Sequence, residues 1–395
     1  MISKGKDQTN GSSVTRLIIL GAGLVGAPMA KDLAGETGLE ITVADARKEA
    51  LEGLKSVSAV HTVLMDLGQK GSLPDLLEGY DFVINALPGF MGFRVLREII
   101  EAGKDVVDIS FHPENPLKLH DLAVRKNVTA VVDCGVAPGM SNLLVGFADA
   151  AMDRTDRVRI YVGGLPQIRE WPFSYKAVFS VTDVLEEYIR PARFRQNGVF
   201  VTEPALTGSE YIDFLGIGTL EAFNTDGLRT LADTIKAPDM IEKTLRYPGH
   251  IDKIRVLREA GFFSKEEMDV AGVRVRPFDV AASIFSRTWR MKEGERDLTV
   301  MKILVDGEKG GRKMTHMFEM TDRFDESTGI HSMARTTGYS ATAAVRMVLA
   351  GLYSRKGVSP PEFVGRYQEC VDFMLAELEK RGLYFSHQVL SLIHI

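Results

Sequence analysis

Along the first third of the chain, apolar positions switch between two spacings. A largely apolar, β-branched run at 14–20 ends at a glycine loop, and from 24 to 33 the apolar residues recur at helical intervals. That pattern predicts strand, turn, helix. It repeats, with strands predicted near 41–44, 82–86, 105–109 and 128–132 and helical stretches such as 93–102 and 116–126 between them. Repeated βα units of this length imply an α/β fold with a doubly wound parallel sheet. After a further helical stretch at 140–152 the texture changes. The segments 157–163 and 298–305 read as longer alternating strands, with 315–320 as a possible partner, and they flank irregular Gly- and Pro-bearing chain. This suits an inserted α+β domain with a mixed sheet. From 332–350 and 361–380 the pattern returns to helices that could pack back on the first domain. The expected organisation is therefore a flexible leader at 1–13, a first domain at 14–140, a substrate and dimerisation domain at 141–330, and C-terminal helices at 331–389.

Composition narrows the function classes. A chain of 395 residues exceeds what one hydrophobic core usually supports, which agrees with two domains. A formal charge of -5 provides no basic footprint, arguing against nucleic acid or an anionic membrane as the main partner and for a small molecule. Two cysteines, Cys134 and Cys370, cannot build a disulfide framework, and no Cys/His spacing resembles a zinc site, so no metal is expected. The leader lacks the apolar core of a signal peptide and no segment is apolar enough for a membrane span. A cytoplasmic protein is the expectation.

Gly21-Ala22-Gly23-Leu24-Val25-Gly26 is a GxGxxG placed after a predicted strand and before a predicted helix. In that context Gly21 permits the tight turn, Gly23 lets a pyrophosphate approach the backbone, and Gly26 lets helix and strand pack closely, as in a Rossmann-type dinucleotide-binding domain. Asp45 ends the second strand, where a carboxylate accepts hydrogen bonds from adenosine ribose hydroxyls. It would repel a 2′-phosphate and so favours NAD. Arg47 could instead meet such a phosphate, which keeps NADP open. Asp66 is placed either beside the adenine or in a simple turn. A flavin or nucleotide-sugar domain is the alternative reading of the glycine loop.

In an open α/β sheet, ligands lie beyond the carboxyl ends of the strands. Three such ends carry polar or glycine-rich runs: Asn85-Ala86-Leu87-Pro88-Gly89, Asp108-Ile109-Ser110 and Asp133-Cys134-Gly135-Val136-Ala137-Pro138-Gly139-Met140. Each could be ordinary turn chemistry. Together, around a glycine loop, they predict an active-site rim in which Ala86, Leu87, Asp108 and Cys134 border the cofactor.

The chain resembles the saccharopine dehydrogenase family, closer to its lysine 6-dehydrogenase branch than to saccharopine dehydrogenase itself. The resemblance rests on the glycine loop at Gly21, on the run from Val132 to Met140, and on Tyr161-Val162-Gly163-Gly164-Leu165-Pro166. It continues through Leu220-Glu221-Ala222-Phe223-Asn224-Thr225-Asp226-Gly227, Arg246-Tyr247-Pro248-Gly249-His250 and Ser332-Met333-Ala334-Arg335-Thr336-Thr337-Gly338-Tyr339. From Asn224 to Arg229 the chain departs from the Tyr-Pro-Asn-Arg-Asp-Ser type element of saccharopine dehydrogenases. Residues 390–395 match nothing in the family and read as a non-native tail.

The resemblance implies an NAD(P)-dependent amino-acid dehydrogenase that moves hydride from a carbon bearing nitrogen. For lysine the ε-amine would be lost to give the 6-semialdehyde and its cyclic imine. The alternatives are a saccharopine- or carboxynorspermidine-type reductive condensation of an aldehyde with an amine and, in another class, a non-catalytic NAD-binding sensor. It also implies a homo-oligomer, dimer or tetramer. An alkylammonium of pKa ~10.4 must lose a proton before hydride can leave. Asp108, Asp133 and Tyr175 are the candidate bases, with His112 and His250 as alternatives. Arg229 is the candidate fork for a substrate carboxylate, with Asp226 and Thr230 beside it and His250 nearby. Cys134 is expected to be wall rather than nucleophile.

Overall fold

The computed structural model describes residues 14–69, 71 and 73–391. The leader at 1–13 and the last four residues lie outside them. Six βα-linked strands form most of the first sheet: β1 (Thr15–Leu20), β2 (Leu39–Asp45), β3 (Val60–Leu64), β4 (Phe82–Asn85), β5 (Asp105–Asp108) and β6 (Thr129–Val131). All pairings are parallel, and β1 lies between β2 and β4 with Leu20 level with Ala44 and Asn85. Leu17 to Leu20 are wholly buried because helices cover both faces, which is why β1 reads as an unbroken apolar run rather than an alternating one. The strand order reverses beside β1, opening a crevice between the ends of β1 and β4.

Two C-terminal features depart from expectation. Gly357–Ser359 adds a seventh parallel strand beside β6, too short to carry a periodic signal. The stretch expected as one helix at 361–380 is two, Pro361–Val364 and Gln368–Glu379. The interruption falls near Gly365, where a Cβ would lie 2.1 Å from the carbonyl oxygen of Leu143. The long helix Ser332–Leu349 packs on the helix Gly26–Leu33 behind the glycine loop, and Arg346 and Arg381 both grip Asp32, at 2.8 and 2.6 Å.

The second sheet is mixed and nine-stranded. Its centre is β7 (Arg154–Pro166), paired antiparallel with Asp297–Lys309 and parallel with Asp239–Arg246. Arg312–Arg323 follows antiparallel, and Phe385–Ser391 joins its far side. Leu390 and Ser391, expected within a tail, thus pair with Thr315 and Met314. Hairpins over Ala192–Glu203 and Glu210–Asn224 occupy chain that looked irregular. Among the described residues no helix is long and apolar enough to cross a membrane.

Candidate active site

A cleft of about 660 Å³ opens at the switch point and is walled on its other side by the second sheet. Its floor is the turn from β1 into the helix Gly26–Leu33. Gly21 has φ +107° and a Cβ there would sit 2.7 Å from the Ala86 carbonyl oxygen, while a Cβ on Gly26 would sit 2.0 Å from the carbonyl oxygen of Gly21. Only glycine fits at either place. Gly23 differs: nothing but the Arg47 guanidinium, at 3.9 Å, lies near its missing Cβ, so the backbone faces open space where a phosphate can approach. Leu24, Val25, Asp45, Arg47, Asp66, Ala86 and Leu87 also line this region. Asp45 accepts hydrogen bonds from the backbone N–H of Ala22 and Arg47, each at 2.8 Å, and its carboxylate pairs with the Arg47 side chain at 3.1 Å. Burial works to raise its pKa, yet the Arg47 guanidinium and the two N–H groups prevail and hold the carboxyl below its usual value. This cradle fits a dinucleotide.

At the next strand ends the structure separates two aspartates that the sequence treats alike. Asp133 borders the cleft; Asp108 is enclosed behind it. Asp108 accepts the Ser110 N–H at 2.7 Å, and its Oδ2 has no hydrogen-bond partner. Burial, opposed by the Ser110 hydrogen bonds and reinforced by the charge of Asp133, pushes its carboxyl up to about 7. Asp133 is held by Arg229, whose Nη2 donates to Oδ1 at 2.9 Å and whose Nε reaches the same carboxylate at 3.2 Å. A third guanidinium contact goes to the His112 carbonyl oxygen at 2.6 Å. Both partners of this pair have left-handed backbones, φ 51° and 52°. Their side chains are only 1% and 6% exposed, so Arg229 does not line the cleft and is not free to receive a substrate carboxylate.

Other expected site residues fall outside the cleft. Tyr175 is packed against His250 and Trp289 beneath the Arg246 guanidinium, and burial pushes its phenol far above the ordinary value, the wrong direction for a base. His250 is buried with both ring nitrogens engaged, by the Phe173 carbonyl oxygen and the Tyr188 hydroxyl at 2.9 Å each. Burial and the neighbouring Arg246 push it down to about 3, so it stays neutral and structural. Thr230 is buried at the start of a short helix, and His112 beneath Arg229 is likewise buried. Cys134 faces a separate small cavity with Met140 and Leu143, and burial pushes its thiol up to about 12. Only Asp226 of the expected substrate residues lines the cleft.

The wall supplied by the second domain carries polar groups that the sequence pattern did not single out: Asp183, Glu187 and Arg190 from the helix Val181–Ile189 and its C-cap, and Glu242, Thr244 and Arg246 from the strand Asp239–Arg246. Glu242, Thr244 and Arg246 alternate along the strand Asp239–Arg246 and share one face, a period-two signal that was present in the sequence. Thr225 donates to Glu242 at 2.5 Å, and Gly227 leaves room for that carboxyl, since a Cβ there would lie 2.2 Å from Oε2. Burial, opposed by the Thr225 bond and reinforced by the charges of Glu187 and Asp226, pushes Glu242 up to about 8. Glu187 rises to about 7 through burial, in spite of its contact with Arg246 at 3.3 Å. Burial also pushes Asp183 and Asp226 upward. Among the described residues, no group of three or more acidic, histidine or cysteine side chains could hold a metal ion.

Residues 17–131 match the family model described as the saccharopine dehydrogenase NADP binding domain, and residues 135–383 match the saccharopine dehydrogenase C-terminal domain. Saccharopine dehydrogenase [NADP(+), L-glutamate-forming] of Pyricularia oryzae is 24% identical over 453 residues, covering 95% of this chain and 99% of that protein. The protein of the same name from Saccharomyces cerevisiae is 22% identical with the same coverage. The mitochondrial alpha-aminoadipic semialdehyde synthase of Mus musculus is 25% identical over 269 residues, which is 65% of this chain and 29% of the synthase. The apo saccharopine dehydrogenase (L-Glu forming) structure from Saccharomyces cerevisiae shares the fold, with a TM-score of 0.78 and 20% identity over 95% of this chain and 100% of that one.

Proposed function

Because the chain belongs to the saccharopine dehydrogenase family, and is an oxidoreductase acting at a carbon–nitrogen bond of an amino acid with a nicotinamide dinucleotide, we propose that its substrate is L-lysine, oxidised by two electrons at the ε-carbon to the imine, which water hydrolyses to the 6-semialdehyde with release of ammonia. The observation that carries this reading is the charge balance of the substrate wall. Asp183, Glu187, Asp226 and Glu242 face the cleft with Arg190 and Arg246, and Arg246 is already paired with Glu187. A wall with three further carboxyls and one further guanidinium suits a ligand with two ammonium groups and one carboxylate. The product of joining glutamate to a semialdehyde amino acid would bring three carboxylates to the same wall, and buried carboxylates without partners are costly.

Gly21, Gly23, Gly26 and Asp45 would hold the dinucleotide, which supplies the hydride acceptor when bound. The chain's own task is to strip a proton from the ε-ammonium and keep the charged ends in place. Glu242 is the proposed proton acceptor, since its affinity for protons, raised to about 8, lies nearest that of an ammonium among the carboxyls of the wall. The Asp133–Arg229 pair is assigned a positioning role.

Mixing the protein with L-lysine and NAD or NADP and following absorbance of the reduced cofactor tests the reading. Growth of that signal is expected. Silence with lysine, together with NADPH consumption when glutamate and 2-aminoadipate 6-semialdehyde are supplied, would replace it by the reductive condensation named for the relatives.

A further inference from the structure

We infer that Arg190 is the specificity-determining residue of this cleft: its guanidinium receives the substrate's α-carboxylate, with Asp226 and Asp183 placed to take the adjacent α-ammonium. The inference rests on the amino-acid reading above. Arg190 ends the helix Val181–Ile189, its backbone N–H still bonded to the Glu186 carbonyl oxygen, so the side chain leaves a rigid element at the cleft wall. Its guanidinium lies over the ring of Phe111, 5.0 Å from the centroid, and Phe111 comes from the loop after β5 on the opposite domain. This cation–π contact holds the guanidinium without using any of its N–H groups.

Elimination leaves this residue alone among the arginines of the site. Arg47 is paired with Asp45 at the dinucleotide end. Arg229 is committed to Asp133 and the His112 carbonyl oxygen. Arg246 donates to the Tyr188 hydroxyl at 3.1 Å, to the Leu245 carbonyl oxygen at 2.9 Å and to Glu187 at 3.3 Å. Arg190 has no carboxylate within ion-pair distance among the described residues, and its Nη1 is shielded from solvent without a hydrogen-bond partner. Among the described residues the fold supplies no acceptor to any nitrogen of this guanidinium, so the donors it presents at the cleft are left for a ligand. A carboxylate matches the planar fork in two parallel bonds, which an amine cannot do. Asp183 and Asp226 are close enough to interact electrostatically with Arg190 yet do not pair with it, so a cation can sit beside the carboxylate.

Calorimetric titration of the NADH-loaded protein with L-lysine and with pentane-1,5-diamine, the same skeleton without its carboxylate, provides the test. Wild-type protein should bind lysine more tightly than the diamine. Arg190→Ala should weaken lysine on the order of a hundredfold, the usual scale for removing one partner of a buried charge pair, and leave the diamine within about twofold. Arg190→Lys, which keeps stem and charge, should recover only part of the lysine affinity. Equal weakening of both ligands, unchanged lysine affinity in either variant, or a wild-type protein that does not favour lysine over the diamine overturns the assignment. Failure of lysine oxidation in the spectrophotometric assay overturns the proposed reaction instead, because the titration reads carboxylate recognition whether or not hydride is transferred.

Discussion

Asp45 and Glu242 show how differently single residues can be read. The place of Asp45 at the cleft was legible because it follows from local spacing: a strand end a fixed distance beyond a glycine loop. Its carboxylate disfavours a 2′-phosphate, while Arg47, with a side chain 64% exposed, is held to it at 3.1 Å. NAD is therefore expected to bind more tightly than NADP. Asp45→Ala should release Arg47 and shift the ratio toward NADP by roughly tenfold; fluorescence titration showing equal or tighter NADP binding to the unaltered protein would contradict this. The perturbed state of Glu242 was not legible, since it arises only when burial and like charges from distant chain surround the carboxyl. Because its folded-state affinity for protons exceeds the ordinary value of 4.5, its contribution favours folding fully below pH 4.5 and is lost as pH rises through about 8. Chemical denaturation of the cofactor-free protein should show stability falling across that window, and Glu242→Gln should flatten the fall. In catalysis the sign is opposite, for the ionised form accepts the proton. The kcat/KM for lysine should climb as pH rises through about 8, and Glu242→Gln should remove that limb along with roughly 100-fold or more of the rate.

Elements were readable where periodicity was long and unreadable where tertiary packing overrode it. The strands around β1 and the helix Ser332–Leu349 announce themselves by apolar pattern, whereas Gly357–Ser359 has three residues and no pattern to read. The helix break near Gly365 follows from close approach to the helix Met140–Ala151, a contact that no local rule contains. The strand Asp239–Arg246 lies between these cases: its polar face alternates correctly, yet Gly- and Pro-bearing neighbours on both sides hid it. The glycine turn offers a test at this scale, because two of its members are glycine for different reasons. Gly26→Ala drives a methyl group into the backbone of Gly21 and should destabilise the fold by about 1–3 kcal/mol. Gly23→Ala meets open space and should alter stability by less than about 0.5 kcal/mol while weakening dinucleotide binding, because the methyl group occupies the phosphate's approach. Thermal denaturation paired with NADH titration separates them; a large loss of stability in Gly23→Ala would refute the open-approach argument.

Across the whole molecule, the glycine-loop side of the cleft belongs to the first domain and the opposite wall to the helix Val181–Ile189 and the strand Asp239–Arg246 of the second, so the cleft depends on how the two are joined. The change of texture after the first domain foretold a second sheet. It could not foretell which side chains cross between them, because contacts such as Asp133 to Arg229 link residues 96 positions apart. This explains why Arg229 looked like a substrate fork in the sequence and is a fastener in the fold. Its pairing with Asp133 holds a loop of the first sheet against the second domain, next to the Phe111 ring over which the Arg229 guanidinium also lies at 4.9 Å. Arg229→Ala leaves a carboxylate with 1% exposure without its counter-charge and should cost about 3–5 kcal/mol. Adding Asp133→Asn removes the stranded charge, so the double variant should be more stable than Arg229→Ala alone, and a cycle of denaturation curves reads the coupling. A fork whose only task was to hold substrate would behave otherwise: Arg229→Ala would keep its stability and lose only lysine affinity, and that outcome would return Arg229 to the substrate wall.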